Sequence, residues 1–224
     1  MFEQVGTVIP RIIEALATAP LSEDPIHLSI LDIKYGFWRM VCAVGEECNS
    51  SYVLPNHPEA PTELVVPSAL QMGWTLFLCL FHVASETACD VAESYSHKRV
   101  GTLPEHPFEG SIISELLGLE NTSMWGTNEY NKFLTLLEEK PFWTMLEVFC
   151  DDFIHMAQTS DLEQLLHLSR TLLHGIHGVF PSPKVLGHNV QDPISKKKLD
   201  TVEGQWEMRK EVLGWMVDVA TWCI

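Results

Sequence analysis

The sequence predicts an α+β fold in a single domain that spans residues 1–224. Three observations support this class. An apolar run at 26–33 is typical of a strand, apolar runs flank an Asp-Asp pair at 151–152, and leucines recur at helical spacing over 162–176. No repeat or flexible linker divides the chain, and 224 residues suffice for one sizeable core.

The first half of the chain alternates helix and strand patterns. The elements expected there are a helix at 8–19, strands at 26–33, 37–44, 51–55 and 62–67, and a helix at 74–95. Pro20 ends the first helix, because proline cannot continue a helical ladder. The segment at 37–44 is expected to pair with the strand before it or to continue it. The segment at 74–95 lacks Gly and Pro, which favours one long helix.

The second half is expected to hold a hairpin and a strongly periodic helix. The predicted elements are a helix at 128–139, a hairpin made of 142–150 and 153–158, a helix that starts near 160, and two short strands within 211–224. Ser160 and Glu163 have the spacing of a capping box at the start of the periodic helix. Gly175 or Gly178 is expected to end it. The stretch 181–199 shows no regular pattern.

Composition limits the possible environments and partners. The formal net charge is −16, which opposes a strong nucleic-acid surface because such surfaces are usually basic. The first residues show no basic region followed by a short apolar stretch, so no signal peptide is expected. The six cysteines form no CxxC pair. They are expected to be reduced thiols in an intracellular protein, cytoplasmic or nuclear. The nearly uncharged run 69–84 is too short to span a membrane and predicts a core helix instead.

The Asp151–Asp152 pair has two interpretations. Aspartate is a common turn residue, so the pair could simply form the exposed tip of a hairpin. Alternatively, hard cations such as Mg²⁺ bind carboxylate oxygens, and adjacent carboxylates on a turn suit that role. A metal site would need a further carboxylate from elsewhere in the chain. Asp32, at the end of the apolar strand 26–33, is the candidate, although a strand-end aspartate can also cap a turn.

An ordered set of motifs resembles the palm domain of reverse transcriptases, the RNA-directed DNA polymerases of retrotransposons. Residues 32–37 resemble the first motif of that family, 70–74 the second, and 149–152 the aromatic-x-Asp-Asp third motif. The lysines at 196–198 stand where the fourth motif carries its lysine, and 213–215 resemble the Leu-Gly turn called the primer grip. The resemblance covers nearly the whole chain and implies a small antiparallel sheet with helices packed mainly on one face.

The resemblance also implies a function and a site. The reaction would be template-directed nucleotidyl transfer with two Mg²⁺ ions, or Mn²⁺ in their place, acting on an RNA or DNA primer–template and a dNTP. The implied catalytic and metal-binding residues are Asp32, Asp151 and Asp152. The implied substrate-binding residues are Ile33, Gly36, Phe37, Met72, Gly73 and Trp74. Phe37 would exclude a 2′-hydroxyl by its bulk, and a lysine among 196–198 would serve the leaving pyrophosphate.

Several positions depart from the family pattern. Phe77 and Leu78 stand where a Ser-Pro step is usual, and Cys48 and Ser50 replace aromatic residues. The chain is expected to hold a palm with partial fingers, and to lack thumb, connection and RNase H regions. It therefore resembles a truncated and partly degenerate copy, and the isolated chain is expected not to extend a primer.

Other interpretations remain open on the sequence. The chain could be a non-enzymatic retroelement remnant, or an unrelated acidic α+β interaction domain. His174, His177 and His188 could bind zinc, although histidines near a helix end often contact its terminal carbonyls. The lysines 196–198 could form a solvated turn instead of a phosphate clamp. The polymerase interpretation requires Asp32 to lie on a strand adjacent to the Asp151–Asp152 hairpin.

Overall fold

The fold confirms the α+β class. A computed structural model describes residues 7–55, 61–98, 100–109, 142–181, 191–199 and 204–221. The helices within these ranges are α1 (Val8–Thr18), α2 (Thr75–Ser96), α3 (Leu162–Val179) and α4 (Lys196–Leu199). The strands there are β1 (Ile26–Asp32), β2 (Tyr52–Val53), β3 (Leu64–Val65), β4 (Trp143–Phe149), β5 (Asp152–Gln158), β6 (Arg209–Val212) and β7 (Trp215–Asp218).

The central feature is a three-stranded antiparallel sheet with the strand order β1-β5-β4. Because side chains alternate across a strand, each strand contributes to two cores. Leu31 and Phe153 point to the face that α2 and α3 cover. Leu28 and Ile154 point to the opposite face, where α1 and the β6–β7 hairpin pack. The two longest helices thus share one face of the sheet, and the shorter α1 lies on the other.

Close packing of α2 against α3 depends on small residues. A Cβ atom at Gly175 would lie 2.7 Å from the carbonyl oxygen of Ala88 and 2.8 Å from the Cβ of Ala92. Gly175 and Gly178 both lie inside α3, which continues to Val179, so the expectation that either glycine ends the helix is wrong. The glycine at 175 lets the two helices approach, and this role has no signature in the local sequence.

The start of α3 also differs from the expected capping box. The N-cap is Asp161, whose carboxylate accepts a hydrogen bond of 2.9 Å from the backbone N–H of Glu163. Ser160 instead donates its hydroxyl to the carboxylate of Asp24, at 2.8 Å. Aspartate and serine are both good N-caps, and the tertiary contact with Asp24 leaves the cap to Asp161.

The segment after β1 turns instead of forming the expected strand at 37–44. Residues Gly36–Arg39 form a 3₁₀ turn, in which the ring of Phe37 stacks on Phe81 at 4.5 Å between centroids. The Arg39 guanidinium donates to three carbonyl oxygens, which are those of Lys34, Gln191 and Asp192, at 2.6–2.7 Å. These tertiary contacts stabilise the turn, and the periodicity of the local sequence does not predict them.

The remaining expectations divide between confirmed and untested elements. The hairpin around 151–152, the strands at 51–55 and 62–67 and the long helix from 74 are present, with shorter bounds for the strands. The C-terminal hairpin begins two residues earlier than expected, at Arg209. The helix expected at 128–139 lies outside the described residues. No helix in the described part of the chain has the length and apolar character needed to cross a membrane.

Candidate carboxylate site at the end of the sheet

Three aspartates lie at one end of the central sheet. The antiparallel pairing of β1 with β5 places Asp32 opposite Asp152. The pairing continues one residue further, since the N–H of Ile33 donates to the carbonyl oxygen of Asp151 at 3.0 Å. The strand adjacency that the polymerase interpretation requires is therefore present.

A tight turn presents Asp151. Phe149 pairs with Asp152, so Cys150 and Asp151 form a two-residue hairpin loop. Such loops need a positive φ, and Cys150 supplies it with φ 56°. A side chain in this left-handed conformation costs on the order of 1–2 kcal/mol relative to the ordinary backbone regions. Strain of this kind is found more often at functional sites than elsewhere.

The carboxylate of Asp151 is half-buried and electrostatically perturbed. Burial raises the pKa of Asp151, and the negative charge of Asp32 raises it further. Its own backbone N–H and the ammonium of Lys198 oppose this rise in the pKa. The pKa of the adjacent Cys150 thiol is also raised, first by burial and then by the charges of Asp151 and Asp152. The rise in the pKa of Asp151 has the direction expected of clustered carboxylates, but burial contributes more to it than the charge of Asp32.

Lys198 brings a positive charge to the same site. Its ammonium forms an ion pair with the Asp32 carboxylate. The helix α4 that carries it is fixed next to β1 by a bridge between Ile33 and Ile194 and by a hydrogen bond of 2.8 Å from Lys34 N–H to Pro193. One of the three lysines therefore does more than line a solvated turn. The sequence pointed to the triplet but could not single out this member.

A cleft opens beside Asp152. It has a volume of about 350 Å³ and lies between the sheet and the β6–β7 hairpin. Its lining includes Ile30 and Asp152 from the sheet, and Leu213 and Gly214 from the turn. That turn has φ 51° at Leu213 and φ 82° at Gly214, the left-handed pair that a two-residue type I′ hairpin needs. The motif compared with the primer grip thus lies next to Asp152.

The predicted substrate-binding residues fall into two groups. Ile33, Gly36 and Phe37 are buried, and the Phe37 side chain is only 7% exposed. A Cβ atom at Gly36 would clash with the ring of Phe81, so this glycine makes room for that core ring. Little of the Phe37 surface is therefore available to exclude a 2′-hydroxyl, and that role stays a prediction.

The second group is exposed near the start of α2. Met72 is 73% exposed and Trp74 is 44% exposed, and Gly73 between them has φ 97°. Phe77 and Leu78, the residues at the replaced Ser-Pro step, belong to the first turns of α2 and pack against the core. The helix can begin at Thr75 because no proline interrupts it there.

The three aspartates are the candidate metal ligands of this site. Three carboxylates offer the hard oxygen ligands that Mg²⁺ prefers, and the Lys198 ammonium already stands at Asp32 as a cation. Within the described ranges, however, no three His, Cys, Asp or Glu side chains are grouped closely enough to hold a metal ion. The donor types fit a divalent cation, and gathering the three carboxylates around one ion would require side-chain rearrangement.

The zinc alternative finds no support in the described residues. His177 Nδ1 lies 2.9 Å from His106 Nε2, and His177 Nε2 lies 3.0 Å from the Asp192 carboxylate. His174 Nε2 is 2.9 Å from the carbonyl oxygen of Pro104. These imidazole nitrogens serve a hydrogen-bond network that joins α3 to its neighbours, and His188 lies outside the described residues.

No protein-family model matches this chain, and a comparison with curated proteins gives no match either.

Proposed function

We propose that this chain is a reverse-transcriptase-like palm whose chemistry is template-directed nucleotidyl transfer. One observation carries the proposal. Asp32 and the Asp151–Asp152 turn, which are far apart in sequence, meet at the same end of an antiparallel sheet. The cleft between Asp152 and the Leu213–Gly214 turn supports it, because the resemblance assigns that turn to the primer.

The roles of the residues follow from their chemistry. Asp32 and Asp151 would hold two divalent cations, with Asp152 in support. When bound, such ions lower the pKa of an attacking 3′-hydroxyl and neutralise charge on the leaving oxygens. The protein contributes mainly position, because phosphoryl transfer needs aligned groups more than covalent chemistry. The sheet register fixes Asp32 against Asp152, and the two-residue turn fixes Asp151.

Turnover by the isolated chain is not expected. The net charge of −16 weakens the attraction of phosphates, and the buried Phe37 is unavailable to a sugar. A misplacement of about 1 Å can cost on the order of 100-fold in rate, so several such departures together can erase detectable activity. We therefore expect a site that binds a metal and a nucleotide weakly, without measurable primer extension.

Nucleotide binding tests the proposal directly. A fluorescent dNTP analogue should bind the full chain in the presence of Mn²⁺, and Asp32→Asn should weaken that binding at least tenfold. Asp90→Asn is the matched control, since Asp90 is an exposed carboxylate on α2. Binding that is absent, or that both variants change equally, would overturn the assignment of a nucleotide site.

Primer extension tests the expected lack of turnover. The purified chain, a primer–template and dNTPs with Mg²⁺ or Mn²⁺ should give no product, and primer–template binding should be weak and sensitive to salt. Templated extension that Asp152→Asn abolishes would show instead that this short palm is an active polymerase. Supplying Phe77→Ser with Leu78→Pro should not restore extension, because both side chains also support the core.

A second candidate is a non-enzymatic remnant of the same descent. The burial of Gly36 and Phe37 favours it, because these residues now serve the core. A remnant predicts no Mn²⁺-dependent nucleotide binding, so the experiment with Asp32→Asn separates the two candidates.

A further inference from the structure

A cavity of about 150 Å³ lies where the last turn of α2 meets the central sheet. Its polar lining includes Glu93 and Ser96 from α2, Thr144 and His155 from the sheet, and Thr171 from α3. The cavity is near the end of β4 that is far from the carboxylate site. A volume of this order is enough for a molecule about the size of benzene.

The imidazole of His155 in the cavity wall has one nitrogen without a partner. The side chain is 2% exposed, and its Nε2–H donates to the Thr144 hydroxyl, which itself donates to the carbonyl oxygen of Met156. Nδ1 is therefore an unprotonated acceptor of a neutral ring, and no group in the described residues donates to it. Polar atoms this deeply buried are normally hydrogen-bonded, so the unpaired nitrogen points to a ligand that donates a proton.

The hydroxyl groups of the cavity have their own protons engaged elsewhere. Ser96 donates to the carbonyl oxygen of Glu93 at 2.8 Å, and Thr171 donates to that of Leu168 at 2.7 Å. The Thr144 proton is engaged in the same way. These oxygens can offer lone pairs to a ligand but no proton. A matching ligand must therefore be a hydrogen-bond donor.

The electrostatic surroundings of the cavity favour a cation. The last turn of α2 has no basic residue, and the carbonyl end of a helix carries partial negative charge. Burial raises the pKa of Glu93, Asp90 and Glu86 raise it further, and His97 lowers it. A bound cation would stabilise this carboxylate in its charged form. A metal ion does not fit, because no three ligating side chains are grouped in the part of the chain that the structure describes.

We propose that this cavity binds a small primary alkylammonium ion, whose N–H groups donate to His155 Nδ1 and to the Glu93 carboxylate. An ammonium group fits because it combines three donors with a positive charge and has no acceptor. Its short alkyl chain would lie against Met145 and Leu146, which also line the cavity. The site shares no residue with the proposed nucleotidyl-transfer site, so each can fail without the other.

Titration of the full chain with n-butylammonium chloride at pH 7 is the first test. NMR of the histidine ring nitrogens should show a saturable shift at His155 Nδ1, with a Kd of roughly 1–10 mM for so small a ligand. Two analogues separate charge from hydrogen bonding. Tetramethylammonium has the charge without a donor, and 1-butanol has a donor without the charge. Each should bind at least about tenfold more weakly than n-butylammonium.

Removal of the carboxylate tests the ion pair. Glu93→Gln should weaken n-butylammonium binding about 3–5-fold, which is the range of a partly exposed ion pair. Asp90→Asn removes the same charge from α2 at an exposed position outside the cavity lining. It should change the Kd by less than about 1.5-fold, because solvent screens a charge that does not contact the ligand.

Filling the cavity tests its location. Ser96→Leu should abolish the shift at His155 Nδ1 by placing a larger side chain in the cavity. Ser94→Leu is the matched control, because Ser94 also donates to a carbonyl oxygen three residues earlier but is exposed and does not line the cavity. Circular dichroism of both variants identifies any loss of fold.

Three outcomes would overturn the proposal. A His155 Nδ1 resonance that n-butylammonium leaves unmoved at concentrations well above the millimolar range would mean that the cavity holds water only. Equal binding of tetramethylammonium or 1-butanol would mean an unspecific contact. Binding to Ser96→Leu as strong as to Ser94→Leu would place the ligand elsewhere on the chain.

Discussion

The same strands form the helix-packed face of the sheet and its carboxylate end. The face is apolar and enclosed, whereas the end carries partly exposed charges. On the face, Leu31 and Phe153 are fully enclosed by α2 and α3. At the end, Asp151 is a half-buried carboxylate beside Cys150, whose backbone is left-handed. Apolar burial on the face stabilises the folded state, whereas the half-buried carboxylate and the left-handed backbone at the end destabilise it. Such a costly end is maintained by the rest of the molecule, which is the usual arrangement at a functional site.

Polar groups show the same contrast. His155 is 2% exposed on the helix-packed face, and Nε2 lies 3.1 Å from the Thr144 hydroxyl. That hydroxyl donates to the carbonyl oxygen of Met156, which leaves Nε2–H of His155 as the donor to Thr144. Burial lowers the pKa of His155 to about 3. The buried polar group on the face is thus neutral, whereas the end of the sheet carries several charged side chains.

Gly175→Ala is expected to give the largest effect by disrupting the helix-packed face. Its new Cβ would lie 2.7 Å from backbone oxygen, which requires α2 and α3 to move apart. Overpacking of this kind should lower the free energy of unfolding by about 2–3 kcal/mol in urea titrations. Gly178→Ala is the matched control, since the nearest atom lies 3.7 Å away. It should be neutral or stabilising by up to about 1 kcal/mol through helix propensity, and equal losses would contradict the packing argument.

His155→Gln should reduce the sensitivity of the fold to acid. The folded pKa of about 3 lies below the unfolded value of 6.5, so His155 stabilises the fold above pH 6.5 and loses that contribution as the pH falls toward 3. At pH 5 the loss is about 2 kcal/mol relative to pH 7. The variant should show a shallower decline between pH 7 and 5. His97→Gln, an exposed change, should keep the wild-type decline; identical slopes for the two variants would refute this.

Cys150→Gly should sharpen the contrast at the carboxylate end by relieving backbone strain. Glycine adopts φ 56° without a steric cost, and part of the gain is lost to its greater freedom in the unfolded chain. The free energy of unfolding should rise by about 0.5–1 kcal/mol. Gly214→Ala makes the reverse change in the second hairpin, at φ 82° and with no atom within 4 Å of the new Cβ, and should cost about 1 kcal/mol.

Asp151→Asn should have the smallest effect on the metal-free fold. The pKa of Asp151 is raised, so its ionised form destabilises the folded state above that pKa, and this penalty vanishes at low pH. In EDTA at pH 7 the variant should unfold at the same or a higher urea concentration than the wild type. Its advantage should disappear as the pH falls through the range in which aspartate protonates. A clear loss of stability would mean that Asp151 holds a structural hydrogen bond.

The sequence predicted those features that depend on local periodicity. The apolar run at 26–33 and the leucine period in 162–176 correctly indicated β1 and α3. It missed the 3₁₀ turn at Gly36–Arg39, because Arg39 binds carbonyls about 150 residues away along the chain. Asp161 and not Ser160 caps α3 for a similar reason, because the Ser160 hydroxyl contacts Asp24 instead. Tertiary contacts decided each of these cases.

For the candidate site too, the sequence predicted some features and missed those that depend on tertiary contacts. The meeting of Asp32 with the Asp151–Asp152 turn follows from the motif order and is present. The burial of Phe37 was not foreseeable, because it depends on the ring of Phe81 from α2. Lys198 could not be chosen from its neighbours, since three consecutive lysines look alike until a backbone orients one of them toward Asp32.

The strand order β1-β5-β4 has a consequence for synthesis on the ribosome. Asp32 and its partner Asp152 are separated by 120 residues. At roughly 5–20 residues per second, β1 waits about 6–24 s for β5 after it has been translated. During that interval the apolar strand has no sheet to join, while β4 and β5 can form their hairpin within microseconds once made. The nascent chain is therefore most exposed to aggregation through Leu28 and Leu31 before the second half emerges.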